Sequence, residues 1–323
     1  MPKTQTKTNT ATFERRDILS FDQFTPNDLF HIFTTAKEMA YQVKKKVPSD
    51  LLRGTITTLL FYEPSSRTFA SFNAAIKRLG GQTIDIQNPG QTSSVAKGET
   101  LADTIRTFEA YSDLIIMRHP IKGAAKEAAN AASIPVINAG DGIGEHPTQA
   151  LLDLYTLYEK FGRLNHLTGV LVGDLLNGRT IHSLLRGLSL FEGNEIYLLA
   201  PQILKLSPQD KQDFRKRGLK LIEITNDKEI PKTANFWYWT RVQKERFTNL
   251  SDYERVKTAF TVTPELMKSR AGKDMILMHP LPRVGEIAKA VDKDPRAVYL
   301  RAQIRNGMFI RMAVVSLILG KKL

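Results

Sequence analysis

Nine short apolar runs rich in β-branched residues alternate along the chain with segments of helical periodicity, and that alternation leaves few folds open. Four runs lie in the first half, at 55–63 (TITTLLFYE), 82–87 (QTIDIQ), 114–119 (LIIMRH) and 135–139 (PVINA). Five lie in the second, at 169–175 (GVLVGDL), 195–200 (EIYLLA), 219–224 (LKLIEI), 236–240 (FWYWT) and 275–279 (MILMH). Strands separated by helices predict an α/β protein, with mainly parallel sheets flanked by helices. A chain of 323 residues exceeds a comfortable single core, so two domains of about 150 residues each are expected. Between the two series lies HPTQALLDLYTLYEKFG, residues 146–162. Pro147 suits a first helical turn, Leu151, Leu154, Tyr155 and Tyr158 form an apolar stripe, and Gly162 ends it. The expected boundary divides 1–148 from 149–303. A last helix within 304–323, spanning about 304 to 320, is expected to pack back on the first domain.

Composition narrows the function classes. Hydrophobic residues at 42% and charged residues at 24% suit a globular protein. The longest nearly apolar stretch, 312–320, is too short to span a bilayer, so no membrane segment is expected. The first sixteen residues, MPKTQTKTNTATFERR, are polar and lack the apolar region of a secretory signal, and are read as a tail. The absence of cysteine removes disulfides, thiolate metal sites and thiol nucleophiles, and fits a reducing cytoplasmic setting. A net charge of +13 raises nucleic acid as a partner. The cations are scattered, with no basic helix, zinc spacing or aromatic RNA-binding signature, so no nucleic-acid partner is expected.

The segment FYEPSSRTFASF, 61–72, places hydroxyls and a guanidinium where a strand becomes a helix. Phe69, Phe72, Ile76 and Leu79 recur at helical spacing up to Gly80 and Gly81, which puts Ser65, Ser66, Arg67 and Thr68 in the first turn. Unpaired backbone N–H groups and the helix dipole make that turn an anion site. The plainer alternative is that Ser66 caps the helix and Arg67 is a solvated charge. Five further polar clusters also follow expected strands: Arg118 with His119, the 140–149 loop, 174–180, 240–243 and 279–283. Ligands of open parallel sheets bind at the carboxyl ends of strands, so the six clusters predict one cleft between two domains.

Together, SSRT, KGETLADT (97–104), MRHP (117–120), NAGDGIGEHPTQALLDLY (138–155), GDLLNGRTIHSL (173–184), TRVQKER (240–246) and HPLPR (279–283) resemble the catalytic chain of the aspartate carbamoyltransferases, in the aspartate/ornithine carbamoyltransferase superfamily. The resemblance covers nearly the whole chain in the right order. HPLPR and the segment from 294 to 320 look nearer to the animal and fungal domain of the multifunctional pyrimidine enzyme, although the chain is expected to stand alone. The resemblance implies that 1–148 binds carbamoyl phosphate and 149–303 binds aspartate, giving N-carbamoyl-L-aspartate and phosphate in pyrimidine synthesis, with no metal or organic cofactor. It assigns the phosphate to Ser65, Ser66, Arg67 and Thr68, and the carbonyl oxygen to Thr68, Arg118 and His146. Arg67, Thr68, Arg118 and His146 are the implied catalytic residues. Gln149 and the backbone around Pro280, Leu281 and Pro282 take the carbamoyl amide. The aspartate carboxylates fall to Lys97, Arg179 and Arg241, with Gln243 beside them.

Each of these has an ordinary alternative. His146 could simply be the N-cap before Pro147, Gln149 a surface helix residue, and Arg179, Arg241 and Lys97 surface ion pairs. His279, between MILM and PLP, is read as a buried structural histidine and is left out. The stretch QTSSVAKGET is read as a flexible loop before a helix that Thr100 and Asp103 cap. In the family that loop, through Ser93 and Lys97, reaches the neighbouring chain's site, which implies a homotrimer with shared sites. A regulatory chain or another pyrimidine-pathway enzyme remains a possible partner. Leu176 and Phe69 depart from the family pattern and carry no assigned role. The alternative readings are a transcarbamoylase for another acceptor such as ornithine, against which the missing cysteine and the presence of Lys97 argue, and a catalytically silent partner subunit.

Overall fold

The structure is a computed structural model and describes residues 13–92 and 94–322. Two all-parallel sheets follow one another in the chain. The first half runs α1 (Pro26–Lys45), β1 (Ile56–Phe61), α2 (Ser66–Arg78), β2 (Gln82–Gln87), α3 (Pro89–Thr92), α4 (Leu101–Glu109), β3 (Leu114–His119), α5 (Ala124–Ala131) and β4 (Val136–Asp141). Helix α6 (Pro147–Phe161) leads into β5 (Thr168–Val172), α7 (Arg179–Leu188), β6 (Glu195–Leu199), α8 (Pro208–Lys216), β7 (Lys220–Ile224), β8 (Phe236–Trp239), α9 (Leu250–Val256), α10 (Pro264–Arg270), β9 (Ile276–Met278) and α11 (Ala302–Ile318). Each expected strand is present, within a few residues at its ends. The stretch expected as a loop before α4 instead contains α3 and a short 3-10 turn at Ser94–Lys97.

The first sheet has the order β2-β1-β3-β4 and the second β7-β6-β5-β8-β9. In each, the chain leaves a starting strand to one side and later returns to its other side. The resulting switch points, between β1 and β3 and between β5 and β8, open crevices at the strands' carboxyl ends. The interior of the first sheet is apolar, with Leu59, Leu60, Ile115, Ile116 and Ile137 fully buried, as expected for strands covered on both faces. Alternation in β8 sends Phe236 and Tyr238 toward one core and Trp237 and Trp239 toward the other. Ile18 pairs in parallel with Ile137 and so covers the edge of β4.

The stripe expected on α6 is buried at Leu151, Leu154 and Tyr155 and partly buried at Tyr158, but most of the rest of that helix is buried too, including Ala150, Leu152, Asp153 and Thr156. Helix α6 packs against α7 on one side and α11 on the other, and α11 also packs on α1 and α2. The last helix therefore lies against helices of the first half. Thr25, Thr100, Ser207 and Thr263 cap α1, α4, α8 and α10 with side-chain hydrogen bonds. At α4 the Asp103 carboxylate accepts from the Thr100 hydroxyl at 2.8 Å while the Asp103 N–H donates back at 3.1 Å. This is a variant of the expected box.

Candidate active site

The carboxyl ends of both sheets face a single cavity of about 970 Å³. Helices α2, α6 and α7 begin in it, and their N-cap residues Ser65, His146 and Gly178 make no side-chain cap bond. In α2 the first-turn N–H groups of Ser66, Arg67 and Thr68 therefore lack the usual side-chain acceptor, which suits an incoming anion. In α6 and α7, by contrast, the Gln149 and Ile181 N–H groups donate to the His146 and Gly178 carbonyls at 3.0 and 2.8 Å. Ser65, Ser66, Arg67 and Thr68 line the cavity from α2, as do Arg118 from the end of β3 and His146 and Gln149 from α6. Arg179 opens α7, Arg241 and Gln243 follow β8, and Pro280, Leu281 and Pro282 follow β9; all six line the same space. Lys97 does not; it is exposed on the short turn before α4. Ser93 lies outside the described residues.

Parallel pairing sets the first half of the site. Phe61 of β1 is in register with Arg118 of β3, so the chain entering α2 and the Arg118 side chain emerge side by side. Arg118 is 8% exposed, and its Nη1 donates to the Ala139 carbonyl at 3.3 Å. Gly140, at φ +119°, makes room for it, since a Cβ there would lie 2.9 Å from Arg118 Nη1 and 3.4 Å from Arg179 Cζ. On the second sheet Gly173 lets the ends of β5 and β8 approach; a Cβ would lie 2.2 Å from the Thr240 carbonyl oxygen. Asp174 then accepts from the Asn177 N–H at 2.9 Å, and Gln243 Nε2 donates to the Asn177 carbonyl at 3.2 Å. These bonds tie the loop that presents Arg179 to the loop that presents Arg241.

The cations crowd one another. Burial, then the neighbouring Arg118, pulls the Arg179 guanidinium down to about 10, and burial followed by Arg118 and Arg241 lowers Arg67. Glu63, assigned no role from sequence, is the internal counterion: its carboxylate lies 2.7 Å from Arg118 Nη2 and 3.7 Å from Arg179 Nη2. Its position directly before Pro64 at the end of β1 was the available signal. His146 is buried, and burial, then Arg179, Arg118 and Arg311, hold its imidazole well below the usual histidine range. It is a neutral ring among cations, able to donate one N–H without adding charge. His279 is a strut, as expected. The Leu281 N–H donates to its Nδ1 at 2.8 Å and its Nε2 lies 2.7 Å from Glu286 Oε1, so the proton sits on Nε2 and the ring holds the 279–282 turn.

Among the described residues no group of three or more His, Asp or Glu could hold a metal ion, and no helix is long and apolar enough to cross a membrane. What remains is a polycationic cleft with helix N-termini, hydroxyls and a neutral imidazole. Such a cleft can bind a phosphorylated electrophile, stabilise an oxyanion and hold a second anion beside it.

Known proteins resemble the chain along most of its length. Residues 16–159 match the family model described as the aspartate/ornithine carbamoyltransferase carbamoyl-P binding domain. Residues 165–318 match the Asp/Orn binding domain of the same family. The chain is 47% identical over 305 residues to multifunctional protein pyr1-3 of Dictyostelium discoideum, covering 94% of this chain but only 14% of that protein's length. It is 47% identical over 308 residues to the chloroplastic aspartate carbamoyltransferase of Arabidopsis thaliana, covering 95% of this chain and 78% of that one. A solved structure of aspartate transcarbamoylase from Trypanosoma cruzi, in complex with carbamoyl phosphate and aspartate, superposes with a TM-score of 0.87 at 40% identity, over 95% of this chain and 98% of the other. With two family models matched in order across most of its length, the chain belongs to the aspartate/ornithine carbamoyltransferase family.

Proposed function

We propose that the chain is an aspartate carbamoyltransferase, transferring the carbamoyl group of carbamoyl phosphate to the amine of L-aspartate to give N-carbamoyl-L-aspartate and phosphate, a step of pyrimidine synthesis. The observation that carries this is the convergence of an uncapped Ser65–Thr68 turn, Arg118 and neutral His146 with Arg179 and Arg241 across one cavity. The first group suits a phosphoryl anhydride, and the second suits a dicarboxylate.

In this reading 1–148 supplies the carbamoyl phosphate half and 149–303 the aspartate half. Backbone N–H groups and hydroxyls of Ser65, Ser66 and Thr68, with Arg67, take the phosphate. Thr68, Arg118 and His146 donate to the carbonyl oxygen, on which negative charge develops as the amine attacks. Gln149 and the carbonyls of the Pro280–Pro282 turn hold the carbamoyl NH2. The C–O bond to phosphate breaks, and the departing phosphate accepts the proton lost by the amine, so no side chain need act as base. Arg179, Arg241 and Gln243 hold the aspartate carboxylates. The phosphate anion offsets part of the repulsion among the arginines, so carbamoyl phosphate binds first. Lys97, exposed on its turn, completes the site of a neighbouring chain together with Ser93, in a cytoplasmic homotrimer.

The test is product formation from carbamoyl phosphate with aspartate and with ornithine in parallel, using purified protein. Carbamoyl-aspartate alone is the expected result. Product with ornithine would overturn the acceptor, and no product with either would overturn the reading.

A further inference from the structure

One carboxylate that faces no substrate is fully buried, with three side chains converging on it. Asp153, one helical turn after Gln149 on α6, is 0% exposed. Its Oδ1 accepts from Gln149 Nε2 at 3.0 Å and from Gln303 Nε2 at 2.7 Å, while its Oδ2 accepts from the Tyr238 hydroxyl at 2.7 Å and lies 3.2 Å from Gln149 Nε2. The donors come from α6, α11 and β8. Gln303 is fixed at both ends, since its Oε1 accepts from the His279 N–H at 3.0 Å. Gln149 is held at its nitrogen by Asp153, and it lines the cavity one turn after His146.

We propose that Asp153 is a positioning residue, which holds the Gln149 amide with its nitrogen inward and its oxygen toward the cavity, so that the site selects a ligand carrying an N–H at the carbonyl carbon. The inference rests on the carbamoyl-transfer reading and goes beyond it to a residue that touches no substrate. A primary amide has two ends of nearly the same shape and opposite polarity. Which end faces the ligand decides whether the site accepts or donates there. A carboxylate attracts the nitrogen end and repels the oxygen end, so Asp153 removes the ambiguity. With the oxygen outward, Gln149 accepts from a carbamoyl NH2 and gains nothing from a methyl. With the amide reversed, two donors would meet.

Acetyl phosphate is the probe, because it differs from carbamoyl phosphate only in carrying CH3 for NH2. The measurement is its inhibition constant against carbamoyl phosphate, and the ratio of the two affinities, in the purified chain at a pH above about 7, where Asp153 is a carboxylate. Asp153→Ala is expected to lower the preference for carbamoyl phosphate about tenfold, the size of one net hydrogen bond, with acetyl phosphate affinity unchanged. Gln149→Ala is expected to do the same, and the double variant to do no more than Gln149→Ala alone, because Asp153 acts through that side chain. Asp153→Asn fills the same space and keeps one acceptor oxygen, so it is expected to give an intermediate ratio; it carries the test if the alanine variant does not fold. A ratio unchanged in both Asp153 variants would overturn the proposal, as would a Gln149→Ala background in which Asp153→Asn still lowers it. Wild-type protein that turns over no carbamoyl phosphate would instead overturn the reading on which the proposal rests.

Discussion

His146 sits among three arginines with its ring held neutral, burial being the first cause and Arg179, Arg118 and Arg311 the next. A neutral donor fixes what substitution should do. His146→Ala is expected to lower kcat by about 10²–10³-fold, the usual cost of losing one oxyanion donor, while His146→Gln, which keeps an N–H, should retain more of it. Because the ring is already neutral, His146 should contribute no step to the pH profile of kcat near pH 6.5, and a step there that vanishes in His146→Gln would refute the assignment. Arg67→Ala, at the uncapped start of α2, is expected to cut kcat/KM for carbamoyl phosphate by about 10²-fold or more; steady-state kinetics decide it. The motif made Arg67, Arg118 and His146 legible as candidates. It did not reveal Glu63, because an acid beside an anion site makes sense only once Arg118 and Arg179 are seen to share it.

Elements were read more completely than their surroundings. Runs such as QTIDIQ and LIIMRH became β2 and β3 with the expected ends, since a parallel strand declares itself by composition and length. Pairing order does not, and it is the order that sets Arg118 beside the start of α2. Gly140→Ala tests that geometry. A Cβ at φ +119° pressed against Arg118 should lower activity well beyond its effect on stability, as activity and melting measurements together would reveal. The stripe on α6 was legible, but the burial of its opposite face was not, because α11 supplies that cover from far along the chain. Asp153 lies there, and burial pushes its carboxyl up to about 7 from an ordinary 3.8. The folded state thus holds the proton more tightly than the unfolded chain. Its contribution to stability is full below about pH 4 and lost as pH rises toward 7. The melting temperature of wild type relative to Asp153→Asn should therefore fall across that interval and level off above it; a constant difference would refute the shift.

At the scale of the molecule, two sheets contribute to one cavity while Lys97 lies away from it, which motivates the shared site. Mixing Lys97→Ala with Arg67→Ala chains, under conditions where subunits exchange, is expected to recover part of the activity, because one intact site can form from two defective partners. No recovery would count against sharing. The two-domain plan was readable from the double series of strands, and a last helix was expected against the first domain, whereas its contact with α1, α2 and α6 together is a tertiary fact that no local pattern carries. That contact also bears on how the protein is made. Synthesis proceeds from the amino end, so the strands and helices of the first half emerge long before the helix that covers them. The helix that begins with Ser66 and Arg67 packs on α11, so it gains that backing only after 302–318 have left the ribosome.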